Sequence, residues 1–213
     1  MLAKKIQIVL LSLLLTSAVF SLPVYAAKPT AKTFIRIGLI NYENAEYSEA
    51  IDEFKQAIKL KPNYAEAHFH LANAYFGLRR YDEALDSYKK AVKLKPSYVD
   101  AHYSLGILAT MLSEYDDAIK ALKKVIKLDP QHSRACLSLG NAYSELENYE
   151  EAVKYYKKAV KLKPKDAGAR YSLGVSYLKL DKQLISSARR EYDVLIKLDK
   201  DLAKDLGDKI RKR

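Results

Sequence analysis

From residue 31 onward the apolar positions of the chain keep a helical rhythm. Ala84, Tyr88 and Ala91 stand at i, i+4 and i+7, and Ala152, Tyr156 and Ala159 do the same. That spacing puts three side chains on one face of an α-helix. Upstream, His68, Leu71, Ala72 and Tyr75 at i, i+3, i+4 and i+7 predict a second amphipathic helix. Each helix is expected to run for about 13 residues, with a short polar turn such as Leu78-Arg79-Arg80 between the two. A proline after each second helix cannot continue it and sets the stop.

These hairpins recur on a fixed step of 34 residues. Pro62, Pro96, Pro130 and Pro164 keep that step, and so does a small residue at Gly38, Ala72, Gly106, Gly140 and Gly174. A large aliphatic precedes each small one: Ile37, Leu71, Leu105, Leu139 and Leu173. Tyr47, Tyr81, Tyr115 and Tyr149 form a further ladder, as do Ala50, Ala84, Ala118 and Ala152, and Phe54, Tyr88, Leu122 and Tyr156. Several independent ladders on one period mark a repeat architecture.

The unit that ends at Pro164 carries Leu139-Gly140, then Tyr143, Ala152, Tyr156 and Ala159. This pattern resembles the tetratricopeptide repeat family. The resemblance covers about 31–200 and implies an all-α, right-handed solenoid of stacked helix–turn–helix units. It also implies a concave groove used for protein–protein contact. Five units are expected, at 31–64, 65–98, 99–132, 133–166 and 167–200. The chain departs from the family pattern in three ways. The usual opening Trp is replaced by Phe34, His68, His102, Cys136 and Arg170; two residues are inserted near 181–185; and Lys200 stands where the fifth proline belongs. Leu202, Leu206 and Ile210 then recur among charges, which predicts a capping helix over 201–213. A solenoid needs such a helix to cover its last interface.

The first 26 residues have a different pattern. Lys4 and Lys5 precede an apolar run over 6–22, and Val24-Tyr25-Ala26 offers small residues two apart. This fits a secretory signal peptide cleaved after Ala26, with 27–30 as a short linker and the bacterial periplasm as the destination. The alternative is an inner-membrane anchor retained over 6–22, a run near the short end of what spans a bilayer.

Composition narrows the classes. The 213 residues include 1 Cys, 7 Gly and 6 Pro, which excludes a disulfide-stapled mini-scaffold and argues against a turn-rich all-β fold. A hydrophobic content of 49% suffices for a core. The net charge of +11 falls to +9 if Lys4 and Lys5 are removed with the leader.

On each first helix the side chains divide by angle. With Gly106 at zero and about 100° per residue, His102, Leu105 and Ala109 fall together on the packing face. Tyr103, Ile107 and Thr110 fall almost opposite. The family resemblance implies that this second face lines the groove. Its members are Ile35, Leu39 and Tyr42; Phe69, Asn73 and Phe76; Tyr103, Ile107 and Thr110; Leu137, Asn141 and Ser144; and Tyr171, Val175 and Leu178. The residues expected to carry peptide binding are Phe69, Asn73, Phe76, Tyr103, Ile107, Leu137, Asn141, Tyr171 and Val175. An apolar groove with amide handles suits a peptide or amphipathic helix of an envelope protein. The lysine, asparagine and arginine clamp with which some family members hold a chaperone's C-terminal carboxylate is not expected, because Ile35, Phe69 and Leu137 stand at matching places.

Second helices begin acidic and end basic. Lys59, Lys61, Lys93, Lys95, Lys127, Lys161 and Lys163 would form one basic edge. Cations at a helix end complement its dipole, which is a sufficient reason for them. The same edge suits anionic lipid headgroups or an acidic partner, so a self-associating or surface-bound structural protein is the alternative reading. Nucleic acid is not expected, for want of any base-stacking motif. No metal, cofactor or catalytic residue is expected either. No phosphate loop, nucleophile elbow or zinc helix motif occurs, His68 and His70 point to different faces, and Cys136 has the phase of a small packed residue.

Overall fold

The computed structural model describes residues 28–212, and the expected signal peptide over 1–26, like the alternative anchor over 6–22, lies outside them. The described residues form α1 (Ala31–Glu43), α2 (Tyr47–Leu60), α3 (Ala65–Gly77), α4 (Tyr81–Leu94), α5 (Val99–Met111) and α6 (Tyr115–Leu128). They continue as α7 (Ser133–Glu145), α8 (Tyr149–Leu162), α9 (Ala167–Leu180), a 3₁₀ turn (Lys182–Leu184), α10 (Ile185–Leu198) and α11 (Lys200–Arg211). No strand occurs among them, and none of these helices is long and apolar enough to cross a membrane.

Each of the first four hairpins closes through a left-handed residue. Ala45, Arg79, Ser113 and Glu147 have φ of 61°, 59°, 61° and 56°. The following amide reaches back over a full turn: Glu46 N–H donates to Asn41 O at 2.8 Å, Arg80 to Tyr75 at 2.9 Å, Glu114 to Ala109 at 2.8 Å and Asn148 to Tyr143 at 2.9 Å. These bonds satisfy carbonyls that a helix end would otherwise leave open.

The prolines end the second helices through the residue before them. Proline's ring excludes the helical region for its predecessor. Lys61, Lys95 and Lys163 accordingly sit at ψ of 85°, 86° and 83°, one residue past Leu60, Leu94 and Leu162. The fifth unit lacks the proline, and Asp199 does the work instead. Its backbone is extended (φ −156°, ψ 106°), and its carboxylate accepts the Asp201 and Leu202 amides at 3.1 and 3.0 Å. That N-cap breaks α10 from α11 at the residue preceding Lys200.

Stacking follows from the small-residue ladder. A methyl group built on Gly38 would lie 2.6 Å from the Phe54 ring, on Gly106 2.6 Å from Leu122, and on Gly140 2.5 Å from the Tyr156 ring. Each first helix therefore lies directly against the large residue of its own second helix. Phe54, Leu122 and Leu139 are fully buried, each worth roughly 1.5–3 kcal/mol of transfer free energy. Gly174 departs from this rule: its neighbour is Leu206 of α11, at 2.6 Å. The two-residue insertion has moved α10 out of register, and Tyr192 of that helix packs on Gly207 instead. The final helix thus covers the end of the stack from inside the last hairpin, with Leu206 and Ile210 buried.

Consecutive first helices touch one another, α1 with α3, α5 with α7 and α7 with α9, whereas no two second helices pack as closely. The first helices therefore form the inner side of an all-α solenoid. Its core divides into two main clusters, one running from Ile35 to Ala121 and the other from Leu122 to Ile210.

Candidate functional site

The inner strip is set by the phase of α1, α3, α5, α7 and α9. Phe69, Asn73, Tyr103, Ile107, Leu137, Tyr171 and Val175 are half-buried, while Phe76 and Asn141 are exposed. All nine expected binding positions therefore keep some open surface, more than a core position retains. Two further expected members do not: Ile35 and Leu178 are buried. Ile35 has joined the first core cluster. Leu178 has joined the second, on a helix against which the inserted 3₁₀ turn packs.

The amides of the strip have partners within the chain. Tyr88 donates its hydroxyl to Asn73 Oδ1 at 2.6 Å, and Tyr156 donates to Asn141 Oδ1 at 2.8 Å. Burial pushes the Tyr156 phenol up to about 12 and raises Tyr88 as well. Each asparagine thus serves its own hairpin first and presents only its NH₂ edge to the groove. The rings of the strip are also supported from below. Phe69 lies 4.9 Å from Tyr98, and Tyr103 lies 4.9 Å from His132, one repeat later. Tyr171 donates its hydroxyl to Asp205 of α11, and Lys209 holds the same carboxylate at 2.6 Å. The C-terminal end of the strip is therefore tied to the last helix.

The second helices distribute charge unevenly. At their acidic starts Glu83 is paired with Arg80 at 2.5 Å, Asp117 with Lys89 at 2.8 Å and Glu151 with Lys154 at 2.8 Å. Lys59, Lys61, Lys93, Lys95, Lys127, Lys161 and Lys163 are all exposed at the opposite ends. Lys95 is paired with Glu66 at 2.8 Å and lies 4.7 Å over the Tyr98 ring; Lys61 lies 4.4 Å over Tyr64. Lys59, Lys93, Lys127, Lys161 and Lys163 have no ion-pair partner among the described residues.

Sequence profiles of the tetratricopeptide repeat match residues 35–99 and 71–133, and a further TPR repeat profile matches 140–181. The chain belongs to the tetratricopeptide repeat family. Among solved structures, a MamA protein is 27% identical with a TM-score of 0.74, over 82% of this chain and 94% of that one. MamA from Desulfovibrio magneticus RS-1 is 24% identical with a TM-score of 0.73, over 80% and 96%. YrrB, described as a TPR protein with an unusual peptide-binding site, is 23% identical with a TM-score of 0.76, over 85% and 94%. No curated protein matches the sequence.

Replacement of the opening tetratricopeptide Trp has a visible consequence. His68 Nε2 meets Pro62 O at 2.9 Å, His102 Nε2 meets Pro96 O at 3.1 Å, and Arg170 Nε donates to Pro164 O at 2.7 Å. These side chains fasten each first helix to the loop before it. Burial lowers the His102 pKa, so its ring is neutral, and Nε2–H is the donor to the carbonyl. No grouping of three metal-ligating side chains occurs among the described residues. Cys136 is fully buried, and burial raises its thiol pKa. Tetratricopeptide spacing did not reveal the Arg170–Glu191 pair at 2.7 Å, 14% exposed on both sides, which clamps α9 to α10.

Proposed function

We propose that this tetratricopeptide chain is an exported, non-enzymatic scaffold that takes a peptide or amphipathic helix of an envelope protein along its inner strip. The observation that carries this reading is the strip itself. Five first helices bring half-open apolar side chains into one line on the inner side of the stack, with Phe76 and Asn141 the most open of them. Alternating apolar anchors with amide edges between them match an amphipathic helix or an extended segment. The described residues are taken up by hairpins and the final helix.

The test is capture of an envelope protein by the purified chain, compared with Phe76→Glu and Val175→Glu variants. Both positions carry open surface and neither holds a buried polar partner. Loss of capture with an unchanged melting temperature is the expected result. Undiminished capture would overturn the groove assignment. Intact mass of the exported protein tests the leader: removal of residues 1–26 is expected, and a full-length mass means a retained anchor.

A second reading rests on the unpaired lysines Lys59, Lys93, Lys127, Lys161 and Lys163. Binding of anionic vesicles that fades as salt rises would favour a surface-bound structural role.

A further inference from the structure

Outside the inner strip, a cleft of about 500 Å³ opens between the second helices α4 and α6. Its apolar floor is Val92, Leu105 and Ala121, with His102 beside them. Lys120, Lys124 and Lys127 of α6 stand at its rim without ion-pair partners among the described residues, and Lys89 faces them, held by Asp117 at 2.8 Å.

The repeat supplies its own comparison for this space. One unit later, Tyr143 and Tyr155 stack at 5.7 Å with their planes 8° apart. Lysines cover both rings: Lys123 lies 5.4 Å from the Tyr143 centroid and Lys154 5.4 Å from that of Tyr155. The 34-residue step places Ala109 at the position of Tyr143 and Ala121 at that of Tyr155. Both rings are therefore missing from the third unit, while the lysines remain, with Lys89 answering to Lys123 and Lys120 to Lys154. Tyr75 and Tyr177 occupy the same position as Tyr143 in other units and are likewise covered by Lys55 at 5.8 Å and Lys157 at 5.5 Å. Of these four equivalent lysines, Lys89 alone has no ring.

We propose that this cleft receives an aromatic side chain carried on an acidic segment of a partner protein. The ring would take the place that tyrosines fill in the fourth unit, under lysines already positioned for cation–π contact. Carboxylates flanking it would meet Lys120, Lys124 and Lys127. The site lies on the opposite side of the stack from the inner strip and stands or falls independently of it.

The probe is a synthetic peptide with one tyrosine between aspartates, titrated onto the full chain by fluorescence anisotropy. Ala109→Tyr with Ala121→Tyr, which rebuilds the stacked pair, should weaken binding at least tenfold. Lys120→Glu with Lys124→Glu, which leaves the packing untouched, should do the same with an unaltered melting temperature. Replacing the peptide's tyrosine with alanine should cost a similar factor. Binding that survives the lysine reversal, or that ignores the loss of the ring, overturns the proposal. So does equal affinity for free 3-(4-hydroxyphenyl)propionate, which would make the cleft a small-molecule site.

Discussion

Tyr88 and Asn73 are joined by a hydrogen bond of 2.6 Å between the two helices of one hairpin, and Tyr156 and Asn141 repeat it two hairpins later. In the first and third hairpins the same two positions hold Leu39 with Phe54 and Ile107 with Leu122. The chain thus contains both a polar and an apolar solution to one contact. Asn73→Leu alone takes its Oδ1 acceptor from the buried Tyr88 hydroxyl, at a cost of about 1–3 kcal/mol. Adding Tyr88→Phe reproduces the first hairpin and should recover most of that loss. Urea denaturation of the two single variants and the double variant measures the coupling; additive losses would contradict it.

Alkaline pH should weaken the fold through the same tyrosines. Burial raises the Tyr156 phenol to about 12, against an ordinary value near 10, and raises Tyr88 too. A raised folded-state pKa means that the unfolded chain loses its protons first. The stabilisation is complete below pH about 10 and is lost as pH rises through the folded value. The melting temperature should fall between about pH 10 and 12, and a Tyr88→Phe, Tyr156→Phe variant should fall less over that range. Equal slopes for the variant and the parent would remove the tyrosines as the cause.

The four left-handed turn residues are each a residue with a Cβ, where a glycine is more comfortable. Glu147, at φ 56°, carries a side chain exposed to solvent. Glu147→Gly relieves a strain of about 1 kcal/mol, partly offset by the freedom glycine gains in the unfolded chain. A gain of up to about 1 kcal/mol in chemical denaturation is expected. A loss would show that the turn tolerates its side chain without strain.

Glycines in the helices should divide by their neighbours. Gly140→Ala drives a methyl group to 2.5 Å from the Tyr156 ring, and overpacking of this kind costs about 1–3 kcal/mol. Gly168 meets nothing closer than Asp166 Oδ1 at 3.5 Å, so Gly168→Ala should add roughly 0.5–1 kcal/mol from helix propensity. Opposite shifts in melting temperature check both together.

The helices and their stacking were legible because several ladders share one period, and period survives substitution. Leu71, Leu105 and Leu139 are core positions whatever their exposed neighbours are. The inner strip was legible as an angle on a helix. That angle does not say which members another element covers. Ile35 and Leu178 were lost to the core for that reason, and Tyr171 was tied to Asp205 across 34 residues. The hairpin turns were expected, but their left-handed backbone left no sign, because Ala45, Arg79, Ser113 and Glu147 include none of the residues that announce it. The histidines at 68 and 102 were placed on the packing side by phase, but their bonds to proline carbonyls depend on loop geometry that spacing does not encode. The outer cleft was hidden differently: it consists of two tyrosines that are absent, and an absence shows only against the unit that has them.

The division of the core between Ala121 and Leu122 bears on how the molecule comes apart. The boundary falls inside the third hairpin, where Leu122 packs on Gly106, and it leaves the first half and the second half each with an apolar interior of its own. The next fastening is also missing: Cys136 stands where His68, His102 and Arg170 tie a first helix to the preceding proline. Melting should therefore proceed in blocks rather than all at once. In hydrogen exchange the two blocks would then open with different free energies, and the sharpness of the thermal transition would understate the stability of each half.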